Sequence, residues 1–422
     1  MLRHILMTIA TLVLFPSSVF AVEDDLTKLT AEAVASNPSL DALRARERAL
    51  RARAEVAGAW SDPMVAIEYS NVPVSSLALS AHPMSGLQLR VQQTLRPPGW
   101  SRLQREVGGL RADATGYAHA EAALQLRATI EQTWWFLVRN RLLRAVTEEH
   151  LARTEELLAA VRARYETGTV GQYALLRLQV LRDRLSDELG DFERSDKELS
   201  AALSKGLGRD GTSEFVTPDE VIAVAPPSDA DWTALAQQHR PQLKSIDAQR
   251  RAWHTSAELA RVDGLPDITV WAGYRIRTVS TQTDPGTDLV AVGVGAPIPV
   301  ASGRRSRGQR AASLDDASDA KFRYESAVDG VNADMQTTLA RWSRAWEKAA
   351  VYDTKLIPGG RATLQTTQAD FSVGRAEFAS LFEAEVMLLD LDRARIAASI
   401  QTHSQRAHAT AVLGIVPSGE SR

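Results

Sequence analysis

Residues 267–277 read DITVWAGYRIR and residues 289–298 read LVAVGVGAPI. In the first stretch Ile268, Val270, Ala272, Tyr274 and Ile276 alternate with Asp267, Thr269, Trp271, Gly273 and Arg275. In the second, Val290, Val292, Val294, Ala296 and Ile298 alternate with Leu289, Ala291, Gly293 and Gly295. A strand turns successive side chains to opposite faces, so this period of two predicts strands over 267–277 and 289–298, each with one apolar face. The pattern recurs over 64–72, where Val65, Ile67 and Tyr69 alternate with Ala66, Glu68 and Ser70. It recurs again over 87–95, where Leu87, Leu89, Val91 and Leu95 alternate with Gln88, Arg90, Gln92 and Thr94.

Two environments produce such strands: a soluble antiparallel sheet packed on helices, and a transmembrane barrel with its apolar side chains toward lipid. Strands of about 9–11 residues match the bilayer requirement. Trp60, Tyr69, Trp100, Trp271 and Tyr274 lie in or beside the strands, as an interfacial aromatic belt requires. Four strands cannot close a barrel, and an open edge in lipid leaves unpaired backbone groups at several kcal/mol each. The barrel reading therefore needs two, three or four chains sharing eight, twelve or sixteen strands. It puts Val292 against lipid and Gly293 toward the lumen, where serine should be tolerated.

Outward from the strands, the chain repeats itself. Asn37-Pro38 and Arg240-Pro241 each precede a helical stretch, and Asp62-Pro63 and Leu265-Pro266 each open a strand, both pairs 203 residues apart. The end of one strand at Leu95-Arg96-Pro97-Pro98-Gly99 matches Ile298-Pro299-Val300-Ala301-Ser302-Gly303. Tyr165 to Gly168 matches Phe371 to Gly374. Each repeat reads helix, strand, strand, long helix, turn, helix. The first, 22–208, is expected to hold helices at 39–59, 101–164 and 171–206. The second, 231–413, is expected to hold helices at 242–262, 304–370 and 376–408. The stretch 101–164 has no proline and predicts a helix of roughly 95 Å. Leu151, Leu158 and Tyr165, and then Leu178, Leu185, Phe192 and Leu199, recur every seven residues, the spacing of paired, supercoiled helices. Pro358-Gly359-Gly360 predicts a kink or break in the second long helix. Residues 209–230, with Gly211, Pro218, Pro226 and Pro227, read as an irregular linker, and 414–422 as a disordered tail.

The remaining signals mostly exclude. Arg3 and His4, the apolar run to Phe20 and the small-residue ending at Ala21 read as a signal peptide over 1–21. Lys and Arg number 49 against 52 Asp and Glu, a net charge of −3, which offers no electrostatic case for nucleic acid. The chain has no cysteine, which removes disulfides, thiolate metal sites and thiol catalysis. His403 and His408 are five residues apart and do not share a helix face. No metal site, cofactor or nucleophile motif is expected, so the chain does not read as an enzyme. A soluble periplasmic coiled-coil adaptor is the rival reading, but adaptors carry one hairpin per chain and this chain has two related ones.

In this order, Asn37-Pro38, Asp62-Pro63, Tyr165 to Gly168, Pro297-Ile298-Pro299 with Gly303-Arg304-Arg305, and Phe371 to Gly374 resemble the TolC family of outer-membrane efflux proteins. Asn71-Val72-Pro73-Val74 and His82-Pro83-Met84 resemble the subgroup found with heavy-metal resistance–nodulation–division pumps. The resemblance implies an α+β membrane protein and a homotrimer. Four strands per chain would make a twelve-stranded β-barrel in outer-membrane lipid, continued by a long α-helical periplasmic barrel. It implies a passive exit duct that works with a periplasmic adaptor and an inner-membrane pump, with heavy-metal cations as cargo. It also places the periplasmic tip at the hairpin turns around Gly168 and Gly374. Two acidic aperture positions fall on Ser380 and Glu383, with Glu377 one turn nearer the tip. Arg177 on the first hairpin is expected to pair with an acidic neighbour.

Overall fold

The computed structural model describes residues 18–76, 79, 82–209, 213–227, 231–277, 287–298 and 300–415. The expected signal peptide and tail fall largely outside them. The chain divides into two compact units, each drawing on both repeats.

One unit comprises 41–120 and 241–329. It holds strands β1 (Met64–Ser70), β2 (Gly86–Leu95), β3 (Ile268–Ile276) and β4 (Leu289–Gly295) in one antiparallel sheet ordered β1-β2-β3-β4. Register places Met64 opposite Gln92, Gln92 opposite Trp271, and Trp271 opposite Gly293. The apolar set therefore shares one face across all four strands. Ile67 is 71% exposed and Val292 76%, so that face has no partner among the described residues.

The opposite face is polar and internally bonded. Arg90 pairs with Glu68 at 3.2 Å and lies 4.8 Å over the Trp271 ring, and Arg275 donates to Gln88 at 2.7 Å. A Cβ on Gly293 would lie 2.5 Å from the Trp271 indole. The expected tolerance of serine there is thus corrected: the indole lies across the glycine, and any side chain must displace it. The aromatic belt is also thinner than expected. Trp60, Tyr69 and Tyr274 are exposed, but Trp271 lies on the polar face. Trp100 is buried with Leu103 and Val262, its indole N–H donating to Asp263 at 2.6 Å.

Four helices accompany the sheet: α2 (Pro38–Ala57), the first part of α3 (Trp100–Glu166), α6 (Pro241–Val262) and the first part of α7 (Ser302–Val351). Between α2 and α3, Gly108 lies against Ala54 and Arg51 pairs with Asp113. Between α3 and α6, Ser245 donates to the Ala114 carbonyl and Arg111 covers the Trp253 ring. Between α6 and α7, Ser306 donates to the Ala260 carbonyl. The order α2-α3-α6-α7 repeats that of the strands.

The other unit comprises 18–40, 121–240 and 330–415. It contains α1 (Ser18–Ser36), the rest of α3 and α7, α4 (Gln172–Leu207), α5 (Trp232–His239), α8 (Ile357–Ser372) and α9 (Phe378–Leu413). Hydrophobic periodicity places no helix over 22–36 or 232–239, yet α1 and α5 stand there, each just before the Pro that opens α2 or α6. Leu26, Ala33, Ile130, Trp134 and Ile400 build its main core. The segment 213–227 has no regular structure and buries Phe215 and Val221 in that core. The backbone is not interrupted at Pro358. Five residues of π-helix, Tyr352–Leu356, separate α7 from α8, and the Ile357 N–H reaches back to the Tyr352 carbonyl. The wider turn absorbs a ring that would otherwise meet the carbonyl four residues earlier.

Candidate functional site at the hairpin tips

Both hairpins end in a glycine-closed helix terminus. Gly168 has φ 74° and Gly374 φ 76°, the left-handed region that side chains with a Cβ resist. In each, the following amide reaches back into the last turn: Thr169 N–H to the Arg164 carbonyl and Arg375 N–H to the Asp370 carbonyl. The tips share one core of Leu158, Val161, Ala174, Leu178, Phe371, Phe378 and Leu381. Leu158, Leu178 and Leu185 of the heptad series are buried; Tyr165 is exposed.

Arg164, in the last turn of α3, ties the tips together. It donates to the Phe371 carbonyl at 2.7 Å and the Ser372 carbonyl at 2.6 Å, with its guanidinium 4.5 Å from the Phe371 ring centre. These carbonyls close α8, so the cation sits where the helix dipole favours it.

The sequence-derived aperture residues occupy one stripe. Glu377 is the N-cap of α9 with no side-chain cap bond, and Ser380 and Glu383 follow at spacings of three. All three are exposed, as are Met387 and Asp390 farther along the stripe. The opposite face buries Phe378, Leu381, Ala384 and Leu388. Asp390 is a third acid on this line that the family alignment did not point to. Among the described residues Arg177 does not meet an acidic partner. Its guanidinium covers the Phe382 ring at 4.1 Å and donates to the Tyr173 hydroxyl at 2.8 Å, next to Glu383 in a shallow groove.

Deeper in the helices lies a cluster that sequence spacing did not find. His150 of α3 is 1% exposed. Its Nδ1 is 2.7 Å from Glu385 and its Nε2 3.3 Å from Asp392, both on α9. Burial opposes charge on the imidazole, but the hydrogen bonds to Asp392 and Glu385 outweigh it and hold the pKa above its ordinary value. Beside it, Arg393 joins Thr147 of α3 and Glu188 of α4. His403 is the opposite case: stacked 3.9 Å from Trp135 and bonded to the Ile222 carbonyl, it is pushed down to about 4, chiefly by burial. Among the described residues no three His, Cys, Asp or Glu side chains are grouped to hold a metal ion.

Residues 232–414 match the family described as Outer membrane efflux protein. No curated protein matches the chain. Solved structures align over almost its whole length. The outer membrane protein VceC from Vibrio cholerae aligns with a TM-score of 0.77 at 18% identity, covering 96% of this chain and 100% of its own. CusC aligns with a TM-score of 0.77 at 16% identity, covering 93% and 92%. The open-state MtrE outer membrane channel of Neisseria gonorrhoeae gives 0.74 at 16%, covering 92% and 89%. At these identities the likeness establishes a shared fold. VceC and MtrE match about as well as CusC, so no heavy-metal subgroup is singled out.

Proposed function

Proceeding from a second repeat that matches the outer-membrane efflux family and a whole chain with the TolC-like fold, we propose that this protein is the passive outer-membrane exit duct of a tripartite efflux system. It is a channel and not an enzyme. The observation that carries this reading is the four-stranded sheet, exposed and apolar on one face, polar and bonded on the other, and open at β1 and β4. In lipid those edges must pair with further copies. Three copies give twelve strands, the helices forming the periplasmic part that meets an adaptor and an inner-membrane pump. Glu377, Ser380 and Glu383 then line the narrow periplasmic end.

The cargo we assign is heavy-metal cations, on the resemblance of Asn71 to Val74 and His82 to Met84 and on the acidic stripe of α9. Asn71 and His82 serve locally: the Asn71 amide donates to the Met84 carbonyl and the Met84 N–H to His82 Nδ1, which fixes the loop between β1 and β2.

The experiment is membrane fractionation with native mass measurement in mild detergent. A salt-washed outer-membrane fraction containing three-chain assemblies is expected. A stable monomer in the membrane, or recovery in the periplasmic fraction as for a soluble adaptor, overturns the reading. Cargo is tested separately, by metal tolerance of a strain lacking the gene. Unchanged tolerance removes the metal assignment and leaves the channel standing.

A further inference from the structure

A cavity of about 390 Å³ opens between the two hairpins, bordered by α3, α8 and α9 within one compact unit. That volume falls in the range of small-molecule sites, roughly 300–1,000 Å³. On α3 it is lined by Arg153, Glu156, Leu157 and Ala160, and on α8 by Arg361, Leu364, Gln365 and Gln368. Both sets follow spacings of three and four, so each helix turns one stripe to the cavity. On α9, Leu381 and Leu388 are buried, and with half-buried Leu157 and Leu364 they supply an apolar wall.

The charges around the cavity fall into two classes. Two are committed: Glu385 is bonded to His150, and Arg153 pairs with Glu149. Two are not: Glu156 on α3 and Arg361 on α8 are exposed, and neither has a hydrogen bond or ion pair among the described residues. Counted back from the bond between Arg164 and Phe371, Glu156 lies eight residues along α3 and Arg361 ten along α8. At 1.5 Å per residue they are within about 3 Å of level, opposite charges on facing walls that do not meet. Arg153, eleven residues back, is beside them and keeps one buried donor, Nη1, without a partner among the described residues. From Arg361 to Gln368 the α8 wall runs about 10 Å toward the tips, past leucines and glutamine amides and with no further charge. The cavity is thus charged with both signs at one end and apolar along its length.

We infer that this cavity binds a zwitterionic small molecule with an apolar tail, of the α-amino-acid type. Its carboxylate sits on Arg361 and the spare Arg153 donor, its ammonium on Glu156, and its tail along Leu157, Leu364 and Leu381. A simple anion meets Glu156 and a simple cation meets Arg361, each at like charge; a zwitterion satisfies both walls at once, and that difference sets the specificity. The bound molecule touches both hairpins. Occupancy is therefore linked to how the hairpins are joined, and it stabilises the arrangement that holds the two walls at this spacing. The site does not rest on the channel reading, since all its walls belong to one chain.

The probe is norleucine, with hexanoate and hexylamine as matched six-carbon controls that each carry only one of its two charges. With the full-length protein held in amphipol, equilibrium dialysis should show norleucine bound at least tenfold more tightly than either control. Its binding should slow deuterium exchange of amides in 153–160 and 361–368 and leave the strands unchanged. Glu156→Gln and Arg361→Gln, both at exposed positions, should each weaken norleucine at least tenfold, and in Glu156→Gln hexanoate should bind as well as norleucine. Glu155→Gln, one residue away and off the lining stripe, should bind like wild type. A wild-type protein that holds hexanoate or hexylamine as tightly as norleucine, or that holds none of the three at millimolar concentration, overturns the assignment. Norleucine binding that survives both substitutions, or that protects amides elsewhere, overturns it as well. None of these outcomes touches the exit-duct reading, which fractionation tests by itself.

Discussion

At the first hairpin the chain leaves α3 through Gly168 at φ 74° and enters α4 behind Gly171 at φ −76°, ψ 156°. At the second it leaves α8 through Gly374 at φ 76° and enters α9 behind Glu377 at φ −76°, ψ 154°. The backbones are near copies; the surfaces are not. The first tip shows Tyr173, Leu176 and Val180 to the outside, whereas the second shows Glu377, Ser380, Glu383 and Asp390. The long helix leading to the second tip also passes through a π turn that the first lacks. Duplication has preserved what closes a hairpin and freed the exposed stripe to diverge. The polar joints between the hairpins, His150 and Arg164, belong to neither repeat alone.

Breaking those joints should have the largest effects. His150→Ala leaves buried Glu385 and half-buried Asp392 without their shared partner, which costs about 3–5 kcal/mol. Thermal unfolding of the assembled protein should show it. The pH dependence has a definite sign. The folded-state pKa of His150 is raised, so its contribution is complete below the unfolded value near 6.5 and is lost as pH rises through the folded value. His403, pushed down to about 4, works the other way: folding loses stability as pH falls from about 6.5 toward 4. Wild-type stability should decline on both sides. His150→Ala should flatten the alkaline limb and leave the acid limb; an alkaline limb unchanged in His150→Ala would remove the charged-imidazole account.

Arg164→Ala comes next. It removes two charge-assisted bonds from partly exposed carbonyls, at about 1–2 kcal/mol. The loss should be local: amides of 364–374 exchange faster with deuterium, while those of the core around Trp134 do not. Equal acceleration throughout would show that Arg164 supports the whole fold and not the joint. Gly168→Ala and Gly374→Ala sharpen the comparison further. Each forces a Cβ into the left-handed region at about 1–2 kcal/mol. Because the two turns match within a few degrees, the two costs should agree within about 0.5 kcal/mol in denaturant midpoint shifts. A larger gap would mean that one tip is held by contacts the other lacks.

What could be read in advance follows from distance along the chain. Strand alternation, the heptads of α3 and α4 and the turn glycines are local, and so they were legible. The arginine of the joint was not, because Arg164 meets carbonyls 207 and 208 residues away. His150 lies 235 and 242 residues from its carboxylates. Trp100 looked like a belt residue because position relative to a strand says nothing about which way a helix turns its first side chain. Helix α5 is eight residues long, too short for periodicity to declare itself. The Gly293 error has the same origin: the indole above it comes from the neighbouring strand, and only register reveals it.

The smallest structural effect belongs to Glu383, and there the two tips should differ in function. Its side chain is exposed on a stripe with Glu377 and Asp390, and no hydrogen bond or ion pair holds it among the described residues. Removing it should leave stability within about 0.5 kcal/mol of wild type, as for other exposed positions away from special contacts. In a ring of three, however, the carboxylates converge on one axis. Three negative charges in a narrow, water-filled passage attract cations and repel anions over a Debye length of roughly 8 Å at physiological salt. Glu383→Ala should therefore lower cation preference in planar-bilayer conductance measurements and weaken the dependence of that preference on ionic strength. The exposed residues Tyr173, Leu176 and Val180 of the first tip are apolar, so Val180→Ala should leave selectivity unchanged. If both variants conduct like wild type, the aperture does not run along α9. If both lose selectivity alike, charge at the second tip is not what sets it.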